Sequence, residues 1–235
     1  MSAIMINSSA FLSLLFLLGL ISSASSWGRS PFQMRCEETL THKAVVVSSS
    51  QSGYRVDNTV SSRVLNTMSI HTYASEQMLG LTELQSSIEI EFDGPVLQDP
   101  QSGTECLAPR VQVALRYMPI KVYVAREFAE GTCPYAEVLT HELRHVQVYR
   151  ENLPKVEAQL RSALAKRFPP KLLYAPAGQS KLVLRHDIDT KWLTYIKEEM
   201  AKVEAIQRSL DSDEEAYRLS HACAGAVAQE LGLHY

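Results

Sequence analysis

VQVALRYMPIKVYV (residues 111–124), followed after Cys133 by PYAEVLTHELRHVQVYREN (134–152), carries the change of period on which the fold turns. In the first stretch Val111, Val113, Leu115 and Tyr117 share one face, and beyond Met118-Pro119 so do Ile120, Val122 and Val124, the period-2 pattern of strands. These two strands read as a hairpin leading directly to Cys133. From Pro134 the period becomes helical. Proline suits a first helical position, and no Gly or Pro follows until Pro154, so residues 135–152 read as a helix with Leu139, Leu143 and Val146 spaced for burial.

Upstream, residues 44–47, 69–73 and 87–92 (SIEIEF) read as further strands, with turn chemistry at Asp93-Gly94-Pro95 and over 99–103. Downstream, residues 155–168 form a second helical stretch, separated by a loop from a long helix over 189–210. Ser212-Asp213-Glu214-Glu215 then offers the S-x-x-E capping box that starts another helix. Strands first and helices afterwards make this an α+β arrangement.

Composition excludes several classes. The 235 residues are 46% hydrophobic and 21% charged, which rules out a disordered tail. With 23 Lys+Arg against 26 Asp+Glu there is no basic field for nucleic acid, so no nucleic-acid partner is expected. The apolar run FLSLLFLLGLI (11–21) is too short to span a bilayer but fits the core of a secretory signal, with small residues for cleavage after Ala24 or Ser26. The expected organisation is therefore a signal peptide over 1–26 and one domain over 27–235, secreted or periplasmic and off the membrane after cleavage. The start MSAIMINSS carries no Lys or Arg, which keeps an uncleaved N-terminal anchor as the alternative. Four cysteines, Cys36, Cys106, Cys133 and Cys223, suit two disulfides in an exported chain, with three connectivities open.

The chemistry lies within the helix, at His141, Glu142, Leu143, Arg144 and His145, an HExxH. Histidines at i and i+4 project from one face and can bind one Zn²⁺, while the glutamate between them can act as general base. Here the chain resembles the zincin class of metallopeptidases, over roughly 120–152. That class has a sheet whose edge strand lines the substrate cleft, with the HExxH helix behind it. The resemblance implies Zn²⁺ as cofactor, His141 and His145 as ligands, Glu142 as catalytic base, and a peptide bond as target. The metzincin extension is absent, since Val148 stands in place of Gly and Glu151 in place of a third His. The chain is also similar to uncharacterised bacterial secreted proteins with an HExxH helix.

Zincins of the thermolysin type take a third ligand from a later helix. If Cys133 pairs with Cys223 and the helix near Ser212 runs antiparallel to the motif helix, Glu215, eight residues before Cys223, stands level with His141, eight after Cys133. Glu215 is thus the expected third ligand and His221 the runner-up, with Cys36–Cys106 the remaining pair. Tyr149, four residues after His145, either contacts the site or packs. The expectation is an exported zinc-dependent hydrolase acting on a protein, peptide or cell-wall substrate. The competing class is a non-catalytic secreted binding or scaffold protein stabilised by zinc.

Overall fold

The computed structural model describes residues 28–41, 44–68, 77–167 and 171–232. The expected signal segment, the expected strand over 69–73, and His71 and His234 lie outside them. The described chain is mixed α and β, with most strands before Cys133 and most helices after it. In order, its elements are α1 (Pro31–Thr39), β1 (Ala44–Gln51), β2 (Tyr54–Asp57), α2 (Ser62–Met68), β3 (Gly80–Glu83), β4 (Ser86–Asp93), β5 (Val96–Asp99), β6 (Thr104–Leu107), β7 (Arg110–Tyr117) and β8 (Ile120–Val124). Then come α3 (Cys133–Arg167), β9 (Leu173–Pro176), α4 (Ser180–Asp187), α5 (Leu193–Leu210), α6 (Asp213–Ser220) and α7 (Ala226–Glu230).

The expected hairpin of β7 and β8 does not form. β7 lies between β1 and β4, and β8 lies between β2 and β3. The register explains the arrangement. Each residue of β1 pairs in parallel with the residue 66 positions on (Ala44 with Arg110), and β2 keeps that offset (Tyr54 with Ile120). β7 and β8 are therefore one bent central strand, flanked by β1–β2 on one side and β4–β3 on the other.

The break at Met118-Pro119 has a local cause. A residue before proline is held extended, so the chain continues rather than reversing, and Pro119 has no N–H for the ladder. Met118 instead donates to the Gln85 carbonyl at 2.9 Å, and Ile120 to that of Gly53 at 3.0 Å. On the antiparallel side, Glu83 faces Lys121 and Ser86 faces Tyr117, so residues 84–85 stand opposite 118–120. That extra residue is a β-bulge. It moves the apolar set from odd positions (111–117) to even ones (120–124), so both halves bury their apolar side chains in the core.

Residues 135–152 and 155–168 were expected as two helices, but α3 runs unbroken through Pro154 for 35 residues. A proline inside a helix costs about 3 kcal/mol. Against it stands one stripe, Val146, Tyr149, Leu153, Val156, Leu160 and Leu164, all buried against the central strand and α5. At about 1.5–3 kcal/mol for each buried side chain, the stripe outweighs the proline. Leu184, Ile188, Trp192, Ile196 and Val203, from α4 through a π-helical turn into α5, complete the same core.

A smaller sheet, β5-β6-β9, packs with α1 around the Cys36–Cys106 disulfide. The second disulfide, Cys133–Cys223, joins the start of α3 to the turn after α6, so both expected pairs are present. Two disulfides are compatible with an extracellular or periplasmic location. Among the described residues no helix is long and apolar enough to cross a membrane.

Candidate metal centre

His141 and His145 lie one turn apart on α3, both buried, with their Nε2 atoms 3.2 Å apart. Facing them is Asp211, the residue that joins the end of α5 to Ser212, the N-cap of α6. Its Oδ1 is 3.1 Å from Nε2 of His141 and 2.9 Å from Nε2 of His145. These three form the one potential metal-ligand group among the described residues.

The outer hydrogen bonds point to the nitrogens that carry protons. Gln207 of α5 donates from Nε2 to the backbone carbonyl of His145 at 3.0 Å, which turns its Oε1 toward Nδ1 of that histidine at 2.7 Å. An amide oxygen only accepts, so Nδ1 of His145 holds the proton. At His141, Nδ1 lies 3.1 Å from Oε1 of Glu215, again an acceptor. Arg144, whose Nη2 is 2.9 Å from the same ring nitrogen, donates to that carboxylate oxygen. In the neutral tautomers both Nε2 atoms therefore present lone pairs to each other and to a carboxylate.

Three convergent electron-pair donors repel unless a proton or a metal cation lies among them, and this donor set suits a divalent metal. With bonds of 2.0–2.1 Å, ligands around a tetrahedral ion sit about 3.3 Å apart, and around an octahedral one about 2.9 Å. The observed edges of 2.9, 3.1 and 3.2 Å fit a divalent ion without naming it.

Electrostatics follow the same contacts. Burial pushes the Asp211 carboxyl up, but its bonds to the two histidines outweigh this and hold it well below the usual carboxylate range. Burial lowers the His145 pKa, and Asp211 and Glu142 more than reverse it. Glu215 is held down to about 2, chiefly by Arg218.

The Glu142 carboxylate reaches the sheet. Its Oε2 accepts from the Thr82 hydroxyl at 2.7 Å, and Thr82 lies on β3, an edge strand paired only with β8 among the described residues. Burial raises the Glu142 pKa, against the opposing pull of the two histidines. Gly80, also on β3, makes room for this carboxylate, since a Cβ there would stand 2.5 Å from Oε1.

The structure brings together His141, Glu142 and His145, but places the two expected third ligands elsewhere. Glu215 reaches the His141 ring on its Nδ1 side, away from the convergent lone pairs, because Arg144 and Arg218 draw its carboxylate there. His221 is exposed at the end of α6 and stacks on Tyr217. Tyr149 packs, with its ring edge-on to Tyr117 and its hydroxyl 3.2 Å from Glu204. Asp211, Gln207, Thr82 and Gly80 were missed by sequence reasoning. The only available signal was the position of Asp211 immediately before a capping box, which marks it as a helix junction. No family model matches this chain, and no curated protein or solved structure matches it significantly.

Proposed function

We propose that this chain is an exported metal-dependent hydrolase, best read as a zinc peptidase, with His141, His145 and Asp211 as metal ligands and Glu142 as general base. One observation carries the reading. The three-ligand cluster is open, because the Asp211 side chain is 58% exposed while the histidines are buried. A structural zinc site is normally closed by four protein ligands, whereas a catalytic one keeps a position for substrate or water.

A divalent metal held there would supply Lewis acidity, polarising a carbonyl and lowering the pKa of water toward neutrality. The remaining work falls to this chain's own residues. Gln207 and Glu215 fix the ring orientation and tautomer of the two histidines. Thr82 occupies Oε2 of Glu142, which leaves Oε1 to take the proton as the water oxygen attacks the carbonyl carbon. The same oxygen returns that proton to the amine as the C–N bond breaks. Burial, which raises the Glu142 pKa, brings it closer to the working pH of a general base. The edge strand β3 lies beside this carboxylate, so an extended peptide is the favoured substrate shape.

The test is Glu142→Gln, which keeps size and hydrogen bonding but removes the basic oxygen. Zinc content and melting temperature are expected to persist while cleavage of a peptide, protein and muropeptide panel falls by a factor on the order of 10² to 10⁴. A glutamine variant matching the wild-type rate contradicts the role of Glu142. A zinc-loaded wild type that cleaves nothing on the panel favours the binding or scaffold reading.

A further inference from the structure

The two disulfides occupy opposite environments. Cys36 and Cys106 are both 0% exposed within the core around α1. Cys133 is exposed and Cys223 half-buried, so this bond can be reached by a soluble thiol. Exposed and strained disulfides are the reducible ones, while buried ones resist exchange.

The backbone at Cys223 is also unusual. Cys223 (φ 55, ψ 39) and Ala224 (φ 55, ψ 36) are the only non-glycine residues with positive φ among those described, and Gly225 (φ 85) follows them. Left-handed backbone is disfavoured for residues with a Cβ, and persists where surrounding structure enforces it. Here the enforcing tie includes the bond to Cys133. Between that tie and the metal centre lies α6. Its N-terminal junction carries Asp211, its first turn carries Glu215, and both contact the His141 ring. Beyond the turn, α7 is anchored independently by Val227, buried with Leu65, Phe128 and Val138.

We propose that Cys133–Cys223 is a redox-modification site whose reduction loosens α6 and weakens metal retention, an inference that rests on the metal centre read above. The co-reactant is a dithiol. One of its thiolates attacks one sulfur of the pair, the S–S bond breaks, and the other cysteine leaves as a thiolate and takes a proton. The second thiol of the donor then resolves the mixed disulfide, so the dithiol is oxidised by two electrons and the protein gains two thiols. Freed of the tie, Cys223 and Ala224 can leave the left-handed region. Glu215 then loses its fixed position against His141, and Asp211, which the packing of α5 on α3 still holds beside the histidines, loses its support from the α6 side, while α7 keeps its own anchorage.

The test uses the folded, oxidised protein treated with dithiothreitol, blocked with iodoacetamide and gel-filtered before measurement, so that the thiol cannot compete for metal. Peptide mapping is expected to find Cys133 and Cys223 alkylated and Cys36–Cys106 intact. Zinc dissociation constants from chelator competition are expected to rise by about 10- to 100-fold, the usual consequence of disturbing groups that orient ligands. Amide exchange is expected to quicken over 211–225 but not in β7 or over 141–160. The Cys133→Ser/Cys223→Ser double variant should reproduce these results without a reductant. Unchanged zinc affinity after selective reduction overturns the proposal and leaves the metal centre standing. Equal reduction of Cys36–Cys106, or faster exchange throughout, also overturns it, because the effect is then global. Oxidised protein that holds no zinc overturns both.

Discussion

Replacing Gly80 by alanine tests the seat of Glu142 by sterics alone, because Gly80 has no positive φ to complicate the change. The new Cβ would stand 2.5 Å from Oε1, 2.8 Å from Cγ and 2.9 Å from Cδ of Glu142, against an ordinary contact of 3.4–4 Å. The carboxylate must therefore give way by about 1 Å in a buried site with little room. Moving it breaks the 2.7 Å bond from Thr82, worth about 1.5–3 kcal/mol for a charged acceptor, and forces an off-rotamer side chain at about 0.5–1.5 kcal/mol. Alanine returns about 0.5–1 kcal/mol in a strand through lower backbone entropy in the unfolded chain. Gly80→Ala should thus lose about 1–4 kcal/mol in urea unfolding. In a Glu142→Ala background the colliding atoms are gone, and the same substitution should cost nothing, giving a coupling energy of about 2 kcal/mol or more in the double-mutant cycle. A cost below about 0.5 kcal/mol, or an equal cost in both backgrounds, would refute the contact and with it the seating of Glu142 on β3.

Gln207→Leu removes the two bonds that Gln207 makes to His145, and should weaken zinc binding by about 10- to 100-fold with a stability loss of about 2–4 kcal/mol; unchanged zinc affinity in chelator competition would show that the amide does not set the tautomer. Glu105, 3% exposed, is subject to a burial penalty that is exceeded by bonds from Ser180, Gly178 and Gln98, leaving its pKa at about 2 against an ordinary 4.5. A depressed carboxylate stabilises the fold above its unfolded pKa and loses that contribution as pH falls from about 4.5 toward 2, here at most about 3 kcal/mol. Glu105→Gln should therefore be less stable than wild type at pH 7, and the gap should close near pH 2; a gap independent of pH would remove the linkage.

Much of this architecture was legible because it is local. The HExxH spacing, the period of β7, β8 and β4, and the capping residue Ser212 all act over a few positions. The bent central strand was legible too, in retrospect: the apolar set passes from Val111, Val113, Leu115 and Tyr117 to Ile120, Val122 and Val124 with a change of parity. One inserted residue produces that change, and the proline holds the chain extended where a hairpin would need it to turn. The unbroken α3 was misjudged because the local cost of Pro154 is plain in a sequence, whereas the stripe that offsets it depends on what packs above. Asp211 was hidden for a related reason. It stands 66 positions after His145, in a junction with no period of its own, and only the packing of α5 on α3 carries it to the histidines. Glu215 does stand level with His141, as the helix distances require, but on the Nδ1 side of the ring.

The most direct test of the metal centre is a zinc competition titration comparing wild type with Asp211→Ala and Glu215→Ala. The account predicts about one zinc per wild-type chain. It further predicts a loss of affinity beyond about 100-fold when the ligand Asp211 is removed, and about 10- to 100-fold when Glu215, which only orients His141, is removed. A wild-type chain that holds no zinc, or an Asp211→Ala variant that binds as tightly as wild type while Glu215→Ala does not bind, would contradict it.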